Sequence, residues 1–373
     1  MVPQADSLCE LQLASSLKCQ LEEAARWSSK RGRLPCGGTV PTIAGFLFAF
    51  VAAVSAQSRI NLAGSGSNVA GPLFVAWTDE FNKKNPAIQV RYLPLSSEEG
   101  IEQIKSSSGD FAIGEIPLSQ EQMHDPKAPL VQIPVLLVAV VPVYNVPGGG
   151  ELRFSGKILA QIYLGAIKNW NDPAISRLNP DVTLPDLPIE VFHRDEGRGT
   201  SYIFTDFLSR KSPEFRSQVG KSASPKWPVG TTAKRSVDMV EKVKATPGAI
   251  GYVERSFAIR ASLAFGSVQN SSGNFVKADP ASMTAACVAT EGSVRQDVRI
   301  SLVDARGEAS YSITGITWVY LPASGLSSER GHALKEFLAW VLEDGQKMAP
   351  LVGYTSLPAS LAFKAREKLG TVQ

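Results

Sequence analysis

The stretch HRDEGRGTSYIFTDFL, from His193 to Leu208, sets Arg194, Glu196, Arg198, Gly199, Thr200 and Ser201 directly ahead of an apolar helical pattern. Ile203, Phe204, Phe207 and Leu208 recur on one helical face, so the spacing predicts a buried, rigid helix after the loop. The first amides of a helix are unpaired donors carrying partial positive charge. Gly199 lets a ligand approach the backbone, Thr200 and Ser201 add hydroxyls, and an arginine fork matches phosphate-like oxygens. The segment therefore predicts a tetrahedral-anion site at a helix start. Ile189–Phe192 ahead of it predicts the entering strand.

Outward from this loop, short apolar runs alternate with helical patterns, which predicts an α/β fold. Arg59–Ala63 predicts a first strand, followed by a helix with Leu73, Phe74, Trp77 and Phe81 on one face and a stop at Asn85-Pro86. Ile88–Leu93 and Phe111–Ile116 predict two more strands, and Ser96 with Glu99 predicts a capping box before a helix carrying Ile101 and Ile104. The run IPVLLVAVVPVY (133–144) contains Pro142, which argues for an extended, buried segment over a helix. Tyr311–Leu321 also reads as extended. These two runs are candidates for strands crossing between two lobes, with 57–135 and 313–373 in the first lobe and 136–312 in the second. Residues 268–285, rich in Ser, Gly, Asn and Ala, predict a variable surface excursion. Four places end a strand in small or polar residues: Gly64–Asn68, Ser96-Ser97, Gly114-Glu115 and the arginine loop. Three of them precede helices, and their convergence would favour a compact oxyanion.

The 373 residues suggest two domains or one large one; 44% are hydrophobic and 20% charged, as in a soluble globular protein. A formal charge of +3 with scattered Lys and Arg excludes a strong nucleic-acid footprint. Lys30–Arg33, the apolar run Thr42–Val54 and Val54-Ser55-Ala56 read as a signal peptide over residues 1–56, predicting export to the periplasm or cell surface. Residues 1–29 are unusual ahead of such a segment; a start placed too far upstream accounts for them. Cleavage after Ala56 removes five basic and four acidic residues, leaving +2. It also removes Cys9, Cys19 and Cys36, so the exported chain keeps only Cys287, expected as a small buried residue, and holds itself by its core alone.

With these residues placed, the exported chain resembles the periplasmic phosphate-binding proteins of ATP-binding-cassette phosphate importers. The resemblance runs from about Leu62 to Leu361 and includes GIEQI (Gly100–Ile104), Gly109-Asp110-Phe111, IYLGAIKNWNDP (Ile162–Pro173), GAIGYVE (Gly248–Glu254), ITGITWVYL (Ile313–Leu321) and YTSLP (Tyr354–Pro358). It implies a two-lobed fold with a cleft between lobes joined by two crossing strands. It also implies a ligand set. Where the family has a Thr-Phe pair in the first loop, this chain has Asn68 and Val69; the family's ligand-binding Ser matches Ser97. The Asp that accepts the phosphate proton becomes Glu115. The family's Arg-x-Asp-Gly-Ser-Gly-Thr becomes Arg194-Asp195-Glu196-Gly197-Arg198-Gly199-Thr200, keeping the Arg, both Gly and the Thr. Arg194 and Glu196 are expected to pair within the loop, with Arg194 also facing the ligand. Arg198 is expected to bind the anion, neutralise Glu115 or sit in solvent.

The resemblance implies a monomeric carrier that captures inorganic phosphate and hands it to the importer's membrane permease, with hinge closure and no catalysis, metal or organic cofactor. The Glu and Arg exchanges also suit a binder or sensor of another oxyanion or a phosphonate. An exported phosphoesterase is the third reading, without a recognisable nucleophile–base pair or metal cluster in its support. GSGSNVAG (64–71) fails the dinucleotide-loop spacing because Val69 stands where the last glycine is needed. Trp170 reads as a packing residue, and His124, His193 and His332 share no spacing that suggests a metal.

Overall fold

The computed structural model describes residues 59–294, 299, 301–324 and 328–372. The chain divides between Ala56 and Gln57; the signal segment expected over 1–56 lies outside the described residues. Strands β1 (Ile60–Ser67), β2 (Ile88–Leu95), β3 (Phe111–Gly114), β4 (Leu130–Tyr144), β5 (Arg153–Phe154), β6 (Glu190–Arg194), β7 (Thr231–Ala233), β8 (Ala249–Glu254), β9 (Ser267–Gln269), β10 (Phe275–Val276) and β11 (Thr314–Pro322) alternate with helices. The helices that position the site are α1 (Gly71–Lys84), α2 (Ser97–Lys105), α3 (Gly199–Lys211) and α4 (Ser236–Ala245).

Local chemistry accounts for their boundaries. Pro72 opens α1, Leu73, Phe74, Trp77 and Phe81 are buried, and Lys83 and Lys84 sit in its last turn, favourable at the negative end of the helix. The predicted capping box starts α2: Glu99 N donates to Ser96 Oγ at 3.1 Å, and Ser96 N donates to Glu99 Oε2 at 2.7 Å. Such a cap contributes about 1 kcal/mol.

Eight strands form one sheet in the order β2-β1-β3-β11-β4-β8-β6-β7, and β10-β9-β5 form a small second sheet. The outer strands pair in parallel on both sides: β1 with β2 and β3, and β6 with β7 and β8. β4 and β11 run antiparallel through the middle. β4 pairs with β11 over residues 130–139 and with β8 over 140–144, so one strand passes from one half of the sheet to the other. Its side chains are buried at every position except half-buried Val131. The β4–β11 register shifts between Thr317 and Trp318, where Trp318 stands opposite Pro134. Proline has no amide to donate, and a bulge there bends the ladder and re-aims the neighbouring side chain.

Two expectations change. The first strand runs on to Ser67 instead of ending at Ala63, so Gly64–Ser67 is sheet, not loop. The glycines serve close packing: a Cβ on Gly64 would strike the Phe111 ring, and one on Gly66, with φ +124°, would strike the backbone of Ile113. Residues 268–285 reach the surface at 271–274, as expected, but also carry most of β9, all of β10 and the start of a helix, Pro280–Ala289. Buried Asn270 donates to the carbonyls of Gly307, Glu308 and Ser310 at 3.1, 2.9 and 3.2 Å. Asn270 holds the turn, while Ser271, Ser272 and Asn274 face water. Cys287 in that helix is buried and free, as expected. Trp170 is fully buried, its indole nitrogen donating to Gly248 O at 2.9 Å.

Candidate functional site

β1, β3 and β6 end, and α2 and α3 begin, around one buried carboxylate. Glu115, the residue after β3, is 1% exposed. Its Oε2 accepts from Ser67 Oγ at 2.7 Å and Ser97 Oγ at 3.1 Å, and its Oε1 accepts from Thr317 Oγ1 at 3.0 Å. The three hydroxyls come from the end of β1, the start of α2 and the middle of β11, opposite the bulge in β4. Gly199, the first residue of α3, lies against the same carboxylate. A Cβ there would collide with Glu115 Oε2 and stand 2.7 Å from Glu115 Cβ and 2.9 Å from Ser97 Oγ. Burial pushes the Glu115 carboxyl up to about 6, opposed by hydrogen bonds from Ser67, Thr317 and Ser97 and by the charge of Arg194.

Arg194, at the end of β6, is 2% exposed. Its guanidinium donates to Ser236 Oγ at 3.0 Å, Lys234 O at 3.0 Å, Ala233 O at 3.3 Å, Asn68 Oδ1 at 3.4 Å and Thr200 Oγ1 at 3.5 Å. Its backbone amide donates to Tyr252 Oη at 3.0 Å, and Tyr252 shares a 2.8 Å hydrogen bond with Ser201. Burial lowers the Arg194 pKa to about 10, with Arg198 adding to the lowering and Tyr252, Asp238 and Asp195 opposing it. It remains a cation at neutral pH. A fixed cation, a helix start and a ring of hydroxyls therefore gather in a buried space, an arrangement that strengthens every charge–charge interaction inside it.

The loop ahead of α3 also meets the segment between β2 and α2. Arg198 Nη1 donates to Leu95 O at 3.2 Å, Glu98 N to Gly197 O at 3.4 Å, and Ser224 Oγ to Glu98 Oε2 at 3.3 Å. These bonds tie strand ends from opposite sides of the sheet.

Asn68, Ser97, Glu115, Arg194, Gly199 and Thr200 thus gather as one cluster. Val69 is buried beside it, but its amide donates to Ser67 Oγ at 3.1 Å and its carbonyl accepts from Tyr354 Oη at 2.8 Å. The expected Arg194–Glu196 pair does not form. Arg194 turns inward to α4 and the first loop, while Gly197, at φ +70°, reverses the chain and leaves Glu196 exposed. Arg198 reaches Leu95 and pairs with Asp195 at 3.7 Å, and the cation felt by Glu115 is Arg194. His193 stacks on Trp227 at 5.6 Å. Ser67, Thr317, Ser236 and Tyr252 were not among the sequence candidates. Ser67 stood inside the Gly-rich opening and Thr317 inside ITGITWVYL; a hydroxyl in a run otherwise destined for burial was the available signal.

Among the described residues no cluster of three or more His, Cys, Asp or Glu has metal-holding geometry, and no helix is long and apolar enough to cross a membrane. The sequence model of the PBP superfamily domain matches residues 51–344. A phosphate-binding protein PstS of Xylella fastidiosa (strain Temecula1) is 33% identical over 81% of this chain and 83% of its own length. PstS of Haemophilus influenzae is 33% identical over 83% of this chain and 93% of its own. In three dimensions the fold resembles a high-affinity periplasmic phosphate-binding protein solved with bound phosphate, at TM-score 0.67 and 16% identity over 83% of this chain and 93% of that one. With the domain matched over most of its length and relatives a third identical across four-fifths of it, the chain belongs to the PBP superfamily and, within it, to the PstS phosphate-binding proteins.

Proposed function

We propose that the exported chain captures inorganic phosphate in the cleft between Arg194 and Glu115 and delivers it, from the periplasmic side, to the membrane permease of an ATP-binding-cassette importer. It acts as a monomeric carrier, by reversible binding without catalysis. The observation that carries this reading is the fully buried Arg194 facing a buried carboxylate ringed by three hydroxyls at the start of α3. Phosphate at neutral pH still holds a proton and can donate it to a carboxylate. Sulfate cannot, and would bring a like charge against an unpaired acceptor. Relatives named as phosphate-binding proteins, matched over most of their length, support the same ligand.

Residues 57–135 and 313–373 form one lobe in this reading and 136–312 the other. The change of partner along β4, from β11 to β8, supports it, and the bonds from Arg198 and Ser224 to residues 95–98 are the contacts that close the cleft. The departures at Glu115 and Asn68-Val69 favour one rival, a carrier of another oxyanion or a phosphonate.

Calorimetry of residues 57–373 with phosphate, arsenate and sulfate at two pH values tests the reading. Tight phosphate and weak sulfate binding is the expected result. Equal binding of the two removes the role given to Glu115, and absence of phosphate binding removes the ligand. Turnover of a chromogenic phosphate ester would replace the carrier with an enzyme.

A further inference from the structure

The Glu115 carboxylate stands where the site's donors converge. Its Oε2 already takes the hydroxyl bonds of both Ser67 and Ser97. It lies so close to Gly199 that any side chain there would overlap it, so a side-chain oxygen rests at the first turn of α3, the place a bound anion would take. Its charge is opposed to that of Arg194. A shorter side chain in the same backbone position would stop about 1.5 Å earlier, one carbon–carbon bond, and leave that place open. Beside the carboxylate a small recess of about 40 Å³, lined in part by Ile203, Thr314, Gly315 and Trp318, adjoins the site.

We propose that Glu115 is a tethered occupant of the anion site: in the empty protein its carboxylate uses the Ser67 and Ser97 hydroxyls, and an incoming oxyanion must displace it toward the adjoining recess. Thr317 is a positioning residue in this scheme, holding Oε1 while Oε2 reaches for the site. The extra methylene of Glu115 then lowers affinity without removing the acceptor that reads the ligand's proton. This rests on the cleft being an oxyanion site, and it sharpens the phosphate reading by separating recognition from affinity.

Two measurements test it. In calorimetry at one fixed pH, Glu115→Asp should bind phosphate at least tenfold more tightly than the wild-type chain; equal or weaker binding by a folded variant overturns the proposal. In thermal unfolding, sodium formate should raise the midpoint of Glu115→Ala by several degrees beyond its effect on wild type, because a free carboxylate refills the vacated place. No differential effect of formate overturns the proposal as well. The formate experiment needs no phosphate. If neither the wild type nor Glu115→Asp binds phosphate, the ligand assignment fails, while the formate result still decides whether Glu115 is an occupant.

Discussion

Glu115 and Glu254 are the two carboxylates of the described residues buried to 1% exposure; Glu115 directly follows β3, and Glu254 closes β8. Their surroundings differ. Glu254 is satisfied locally: the amide and hydroxyl of Ser256, two residues on, both donate to its Oε2 at the start of the helix Arg255–Arg260. Its neighbouring cations, Arg260 and Arg255, belong to the same helix. Glu115 is satisfied by hydroxyls from three distant segments, at sequence separations of 48, 18 and 202, and faces an arginine from a fourth. A capping carboxylate needs one neighbour. Holding a carboxylate with four separate pieces of chain costs ordering at every piece, which is the mark of a place built for charge.

The largest contrast should appear when the facing cation is removed. Arg194→Ala leaves a buried carboxylate without its counter-charge and removes the guanidinium from the cleft, so phosphate affinity should fall about a thousandfold or more, on the order of 4 kcal/mol. Arg260→Ala, beside Glu254, should leave affinity within about twofold. Calorimetry on the two variants makes the comparison, and a similar loss in both would erase the distinction between the sites.

Acid–base behaviour gives the next effect. Burial is the leading cause at both positions, raising Glu115 from 4.5 to about 6 and Glu254 from 4.5 to about 7. At these two positions the folded protein therefore holds more protons than the unfolded chain between pH 4.5 and about 7. Stability contributed by these groups is fully present below 4.5 and is lost as pH rises through their folded values. The loss is on the order of 2 kcal/mol for Glu115 and about 3 kcal/mol for Glu254. Denaturant unfolding of ligand-free protein across this window should show the decline from these two groups, and Glu254→Gln should remove the part between pH 6 and 7. A wild-type profile unchanged by Glu254→Gln would show that burial does not control that carboxyl. At one pH, Ser256→Ala should lower stability by about 1–2 kcal/mol, the cost of leaving a buried acceptor short of one donor, with phosphate affinity unchanged.

The same contrast explains what the sequence could tell. Local chemistry was legible: the Ser96–Glu99 capping box, the apolar face of α1, the buried run through Pro142 and the strand–loop–helix unit at Arg194 all depend on residues within a turn or two of one another. Glu115 and Arg194 were legible as site residues because motif and resemblance both pointed to them. Thr317 was not, because its place in the site depends on a register shift opposite Pro134, nearly two hundred residues away in sequence. Ser236 was hidden in the same way, at the start of a helix whose contact with Arg194 exists only after β6 and β7 pair. The Arg194–Glu196 pair is expected from the arginine-loop pattern, and one left-handed residue, Gly197, prevents it. The GSGS opening reads as a loop because glycine marks turns more often than it marks two strands pressed close.

The smallest effect concerns Arg198, which lies in the arginine loop yet turns away from both carboxylates. Its side chain is 15% exposed, it donates to Leu95 O at 3.2 Å, and its nearest charged partner is Asp195 at 3.7 Å. Its Nε is buried without a partner, so part of what the Leu95 bond contributes is offset by an unsatisfied donor. Arg198→Ser restores the small hydroxyl residue that the phosphate-binding pattern carries here and removes both terms together. The net change should be small: affinity within about threefold, under 1 kcal/mol. Under the proposed lobe division the Arg198–Leu95 bond spans the cleft, so the change should reside mainly in the dissociation rate. Stopped-flow release of phosphate from wild type and Arg198→Ser measures this. A fall in affinity approaching that of Arg194→Ala would place the Arg198 guanidinium on the ligand and give the site two cations instead of one.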